Sequence, residues 1–268
     1  MDLGSLEQIH DGGQSVILKY PQIGTVHDLV IKASNPLKPR SRKALKHEIK
    51  LLQSMEYNPF VIQLIDSGQS EGRIYYSMPL LGKFTRRLLP LIDNTNKSNV
   101  SDILIKICDG LAALHEANIL HLDIKPDNIL MKHSGHPVII DLGLSRTITS
   151  DLIDPHSVPE GSFKYIAPEV WLHRPMSVRT DIYSFGITAY EIITGNPFVN
   201  GDSLDQIRRQ HLSQMRPILE RQDLLKGLEY VISKCTRLNP ADRFFNIQEV
   251  KQAIRDGSGK SSGLEQRA

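Results

Sequence analysis

His121-Leu122-Asp123-Ile124-Lys125-Pro126-Asp127-Asn128 is the stretch on which the reading of this chain turns, and thirteen residues after Asn128 comes Asp141-Leu142-Gly143, at the end of the apolar run Pro137-Val138-Ile139-Ile140. The two segments offer paired carboxylates, an amide and an ammonium between two elements, with Pro126 and Gly143 holding tight turns. Aspartate and asparagine oxygens suit Mg²⁺, and a neighbouring lysine suits phosphate. Two unrelated turns that happen to contain aspartate are the bland alternative.

Upstream of this stretch the chain is strand-rich. Short β-type runs at Val16-Ile17-Leu18 and Leu29-Val30-Ile31 are broken by Pro21, Gly24 and His27. A helix is expected over Ser41 to Met55, with Leu45, Ile49 and Leu52 at helical spacing. Further strand-like runs occupy Val61 to Leu64 and Ile74 to Met78. Beyond Gly82 the pattern turns helical: Ile103, Ile107, Leu111 and Leu114 form a stripe after Ser101 as a cap, and Asp181 to Thr194 is apolar nearly all round before Gly195 stops it. Glu48 lies three residues after Leu45 and four before Leu52, so it points inward with the stripe, and an inward carboxylate needs a cationic partner. Lys32, at the end of a strand-like run, is the candidate, although a lone strand-end lysine is usually a solvated charge.

The catalytic-loop and Asp-Leu-Gly pattern resembles that of the protein-kinase family, matching H-R-D-x-x-x-x-N and D-F-G in order and spacing apart from Leu122 and Leu142. The resemblance runs from about Ile9 to Ile254 and implies an α+β, bilobal kinase fold. A small antiparallel-sheet N-lobe with one key helix would precede a larger, mainly helical C-lobe, with ATP in the cleft. By that resemblance Asp123 orients the substrate hydroxyl and accepts its proton, Lys125 neutralises the transferring phosphoryl, and Asn128 and Asp141 hold Mg²⁺, with Mn²⁺ as a substitute. Lys32 would pair with Glu48 and sit over the α- and β-phosphates.

Weaker matches fill in the nucleotide site. Gly12 and Gly13 resemble a shortened glycine-rich loop ahead of Val16. Tyr76 to Gly82 looks like the hinge, with Met78 at the gatekeeper position. Adenine would bond to the Pro79 carbonyl and to the carbonyl and amide of Leu81, so the proline removes no needed donor. Val16, Val30 and Leu130 would wall the adenine; each also suits an ordinary core position. Glu160 to Glu169 resembles the family's substrate-loop pattern G-T-x-x-Y-x-A-P-E with Ser162 for Thr, which together with Lys125 points to serine/threonine rather than tyrosine substrates. Asp181 is expected to anchor the catalytic-loop backbone, and Arg243 to pair with Glu169. Two rivals stand beside this reading. A pseudokinase scaffold is suggested by the poor glycine loop, Leu122 and Leu142. A small-molecule phosphotransferase of related fold is disfavoured by the substrate-loop pattern. Leu122 replaces the arginine that commonly binds activation-segment phosphate, so an active arrangement without obligatory phosphorylation is expected.

Composition is that of an ordinary soluble protein: 268 residues, 40% hydrophobic, 23% charged, and a net charge of +2 from 32 basic and 30 acidic side chains. Nucleic acid is not implied by so small a net charge, and no membrane span is visible in sequence. The implied partner is a protein substrate offering a Ser or Thr hydroxyl. Cys108 and Cys235 lack metal-ligand spacing, and a reducing, cytoplasmic setting follows. One domain is expected over 1–256 (N-lobe to about 78, hinge 79–82, C-lobe 83–256), with 257–268 a flexible tail or appended remnant.

Overall fold

The computed structural model describes residues 3–11, 15–20, 29–81, 97–132, 134–148, 163–213 and 222–259. Its first part is an antiparallel five-stranded sheet with one helix: β1 (Gln8–Asp11), β2 (Ser15–Tyr20), β3 (Leu29–Ser34), α1 (Pro39–Gln53), β4 (Asp66–Ser70) and β5 (Arg73–Pro79), in the spatial order β1-β2-β3-β5-β4. Directly opposed residues in such a sheet share a face. Val16 opposes Ala33 and Leu18 opposes Ile31, and these four pack with Leu3 on the outer face. Ile17 opposes Lys32, which opposes Tyr76, while Val30 opposes Met78, and these residues share the face that carries α1. The polar run of β4 gave no strand signal. Its hairpin to β5 is closed by Glu71 (φ 52°) and Gly72 (φ 74°), both left-handed, as a two-residue turn matched to strand twist requires.

Helix α1 begins two residues before the expected Ser41, because Pro39 sits at its first position, where no amide is needed. Its stripe of Leu45, Ile49 and Leu52 is buried. The run Val61 to Leu64 is not a strand of the sheet. Only Val61 forms an isolated bridge, to Ile139, and the Ile62 amide donates to the Ile139 carbonyl, so the segment ties the sheet to the second lobe instead.

The second part holds α2 (Lys97–Glu116), the two-stranded pairs β6 (Ile119–Leu120) with β9 (Arg146–Thr147) and β7 (Ile129–Met131) with β8 (Pro137–Ile139), and then α3 (Pro168–Trp171), α4 (Val178–Thr194), α5 (Leu204–Leu212), α6 (Gln222–Cys235) and α7 (Ile247–Gly259). Ser101 lies inside α2 rather than capping it, since the helix already runs from Lys97. Ile103, Ile107, Leu111 and Leu114 are at most 2% exposed. Helix α4 starts at a capping box of Ser177 with Thr180 and stops at Gly195, whose φ of 73° suits glycine. Thr180 through Ala189 are all buried, which makes α4 the centre of the lobe. Helix α7 runs through Gly259, three residues beyond the expected boundary at 256. Gly257 there meets Gly227 of α6 so closely that a Cβ on Gly227 would lie 2.4 Å from the Gly257 Cα. Among the described residues no helix is long and apolar enough to cross a membrane.

Candidate active site

The sheet delivers Lys32, α1 delivers Glu48, and the turn after β8 delivers Asp141. Lys32 Nζ donates to both Glu48 oxygens, at 2.9 and 2.8 Å, and to Asp141 Oδ1 at 2.9 Å. Lys32 and Glu48 are 7% and 1% exposed, whereas the Asp141 side chain is 46% exposed and therefore faces the cleft. Burial opposes the Lys32 charge, but the Glu48 and Asp141 carboxylates outweigh it and hold the ammonium well above the usual lysine range. Burial pushes the Glu48 carboxyl up against the pull of Lys32. Lys32 draws Asp141 down to about 2, with the Gly143 N–H helping.

Glu48 Oε1 also accepts the Leu142 N–H at 3.2 Å and the Tyr76 hydroxyl at 3.1 Å. Leu142 is fully buried in the cluster that contains Leu52 and against which Leu64 packs, so leucine fills this apolar position under α1. Sequence reasoning missed Tyr76, because a tyrosine in a strand signals packing and only the register reveals its partner.

The segment from His121 to Asn128 is held from below by Asp181 of α4. Its Oδ2 accepts the His121 N–H at 2.9 Å and its Oδ1 the Leu122 N–H at 2.8 Å, and His115 Nε2 lies 2.9 Å from Oδ2. Burial raises the Asp181 carboxyl, but His115, His121 and the Leu122 amide overcome it and keep the group below the usual carboxylate range. Leu122 (φ 63°) and Asp141 (φ 67°) both adopt the left-handed conformation, strained for residues with a Cβ. The Asp181 bonds hold the first of these turns. Above this anchor, Lys125 Nζ donates to Asp123 Oδ2 at 2.7 Å and Asn128 Nδ2 donates to the same oxygen at 2.8 Å. Asp123 Oδ1 is buried and, among the described residues, has no hydrogen-bond partner. With its amide nitrogen turned to Asp123, Asn128 presents its oxygen away from that carboxylate.

The remaining site residues divide. Val30 is buried on the Lys32 face, opposite Met78, and Leu130 is partly buried beneath. Pro79 ends β5, and Leu81 is 8% exposed. Val16 does not reach the cleft: its register with Ala33 turns it to the outer face, buried with Leu3 and Leu18. Ile17 takes the cleft face instead, opposite Lys32. A strand read one residue out of step exchanges its faces, and the shortened glycine loop caused that slip. Gly12 and Gly13 lie outside the described residues, as does the segment 149–162 with Glu160, Gly161 and Ser162.

The described end of the substrate-loop segment is fastened at several points. Tyr165 donates to Glu191 Oε2 at 2.7 Å, and the Ser184 hydroxyl donates to the Tyr165 carbonyl at 2.8 Å. His211 Nε2 meets the Phe163 carbonyl at 2.9 Å. Glu169 and Arg243 form a bidentate pair at 2.8 Å on each oxygen.

The chain is similar to several bacterial proteins. It is 28% identical over 204 residues to the serine/threonine-protein kinase PknD of Mycobacterium tuberculosis (74% of this chain, 30% of the relative). With the serine/threonine-protein kinase PkaA of Streptomyces coelicolor it shares 37% identity over 161 residues (58% and 29%). With the serine/threonine-protein kinase PrkC of Bacillus subtilis it shares 25% over 216 residues (80% and 33%). The chain thus spans about a third of the length of these relatives. The model of the protein kinase domain matches residues 4–253, nearly the whole sequence and every residue of the cleft, and on that match the chain belongs to the protein kinase domain family.

Proposed function

We propose that the chain transfers the γ-phosphoryl group of ATP to serine and threonine hydroxyls of protein substrates. The observation that carries this reading is the Asp123 carboxylate, whose Oδ2 is occupied by Lys125 and Asn128 while Oδ1, among the described residues, is an acceptor without a donor. A substrate hydroxyl donating to Oδ1 is oriented for attack and gives up its proton there. Lys125 is then beside the oxygen on which charge grows, and Lys32, fixed by Glu48, faces the α- and β-phosphates. The hydroxyl oxygen bonds to the γ-phosphorus as the bond from that phosphorus to the β–γ bridging oxygen breaks, leaving the phosphate ester and ADP with the hydroxyl proton on Asp123.

Asn128 and Asp141 fit a hard divalent cation: a carboxylate held ionised by Lys32 and an amide oxygen turned from its own neighbours supply the one or two protein ligands that Mg²⁺ takes alongside substrate phosphates. Mg²⁺, or Mn²⁺ in its place, would be held by Asn128 and Asp141 and would supply positive charge against the phosphates. Val30, Leu130, Met78 and Ile17 are assigned to the adenine walls, and the Pro79 carbonyl and Leu81 backbone to its edge. Gly12 and Gly13 are assigned to the loop over the phosphates. One catalytic domain over 1–256, acting in the cytoplasm where ATP is abundant and Cys108 and Cys235 stay reduced, completes the reading. The test is transfer of labelled γ-phosphate to a generic protein substrate with Mg²⁺, beside an Asp141→Ala control. Equal labelling by the two proteins would overturn the assignment.

A further inference from the structure

Tyr76 closes the shell around the most buried carboxylate of the cleft. The β3–β5 register sets it directly opposite Lys32, so both side chains leave the sheet on the α1 face. Its ring is 1% exposed, and its hydroxyl donates to Glu48 Oε1 at 3.1 Å. A carboxylate offers about four acceptor positions. Here Lys32 donates to both oxygens, and Tyr76 and the Leu142 amide add two further donors at Oε1, in a place too dry for water to substitute.

The three donors are not equivalent. Lys32 is shared with Asp141 and, on the phosphotransfer reading, with the nucleotide phosphates. The Leu142 amide belongs to the segment that carries Asp141. Tyr76 sits in the middle of β5, between β3 and β4, and among the described residues Glu48 is its hydrogen-bond partner. Its bond to Glu48 involves neither the Asp141 segment nor, on the phosphotransfer reading, the nucleotide phosphates. Burial, with the Glu48 charge, also pushes the phenol well above its usual range, so it remains protonated and able to donate at any working pH.

We propose that Tyr76 is a positioning residue that acts through Glu48, holding α1 against the sheet so that Lys32 stays at the phosphate site; its catalytic consequence rests on the phosphotransfer reading. The effect does not depend on any phosphate on the activation segment, which suits a chain with Leu122 before the catalytic aspartate.

Tyr76→Phe keeps the ring and removes the donor. The test is a cycle of wild type, Tyr76→Phe, Glu48→Ala and the double variant, read by hydrogen–deuterium exchange over 39–53 without nucleotide and by kcat and KM for ATP; alanine is used because glutamine would keep an acceptor for the Tyr76 hydroxyl. Tyr76→Phe should raise α1 exchange and lower kcat by about fivefold each, the population shift from one ordinary hydrogen bond. KM should change less than about twofold, and α4 exchange should not change. In the Glu48→Ala background, where the hydroxyl has lost its acceptor, Tyr76→Phe should alter neither quantity. Unchanged α1 exchange in Tyr76→Phe, or the same fold-change in both backgrounds, overturns the proposal, the latter because it marks a packing role. A wild type without turnover sinks the phosphotransfer reading instead, and the exchange cycle still decides the role of Tyr76.

Discussion

Replacing Arg243 by alanine should cost about 3–5 kcal/mol, the range for removing one member of a buried ion pair. The guanidinium uses its full donor set: Nη1 and Nη2 each meet a Glu169 oxygen at 2.8 Å, Nη1 also donates to the Arg179 carbonyl, Nη2 to that of Leu238, and Nε to that of Arg237. Its carbon lies 4.8 Å from the centre of the Tyr183 ring. The two side chains are 0% and 2% exposed, so water cannot take over. Alanine leaves the Glu169 carboxylate, among the described residues, with the Thr180 hydroxyl at 2.8 Å as its remaining side-chain donor, and strips three backbone carbonyls as well. In a domain of this size each kcal/mol lowers Tm by about 2–4 °C, so a fall of about 6–20 °C is expected in a circular-dichroism melt at neutral pH. Arg243→Lys keeps the charge without the fork and should fall between. The double variant Arg243→Ala with Glu169→Ala should be less destabilised than the sum of the two singles, since no lone buried charge remains. A Tm loss below about 2 °C for Arg243→Ala, or strict additivity in the double variant, would refute the argument.

Asp123→Asn and Asp141→Ala should each lower phosphotransfer by about a hundredfold or more with little change in melting, whereas Lys32→Met should also lose several degrees because it strips Glu48 of its cation; an active Asp141→Ala enzyme would dismiss the metal assignment. His211 is pushed down to about 4 by burial, so its neutral form favours the fold above its ordinary 6.5, and that contribution, on the order of 3 kcal/mol, drains away as pH falls from 6.5 to about 4; urea titrations across this window should show the slope in wild type and a shallower one in His211→Gln. Phosphatase-treated protein of unmodified mass should start at its full rate, and phosphate arriving at Thr147 or Thr149 should change activity only a few-fold; a long lag removed by pre-incubation with ATP would show a loop switch despite Leu122.

What the sequence disclosed depended on how locally each feature is encoded. Asp123, Lys125, Asn128 and Asp141 sit in two short segments whose spacing survives any packing, so their convergence was legible before the fold. Glu48 was legible too, because helical periodicity alone turned it inward. Arg243 and Glu169 meet across 74 residues, and only the family resemblance linked them. Features set by tertiary context were less visible. Polar β4 exists because β5 offers it an edge, Val61 to Leu64 was drawn out of the sheet by Ile139, and α2 extends four residues ahead of the serine that looked like its cap.

The two cleft residues that sequence reasoning misplaced or overlooked have a common cause. Lys32 fixes which face of the sheet is chemical, since its ammonium reaches Glu48 and Asp141. Register then carries that face sideways along one row: Ile17 on β2, Lys32 on β3, Tyr76 on β5 and Ser67 on β4 oppose one another in turn. Row membership is a property of pairing, and a single strand shows only alternation, which is unchanged by relabelling its two faces. Val16 was therefore chosen where Ile17 belongs, and Tyr76 was read only as the start of the hinge. Once the row is drawn, an apolar group, a cation and a phenol stand side by side. The apolar group suits the nucleotide above, while the phenol and the cation converge on the same carboxylate of α1. Two donors from adjacent strands thus meet one carboxylate of α1, and on the proposed reading the Tyr76 bond holds that helix while Lys32 serves phosphate.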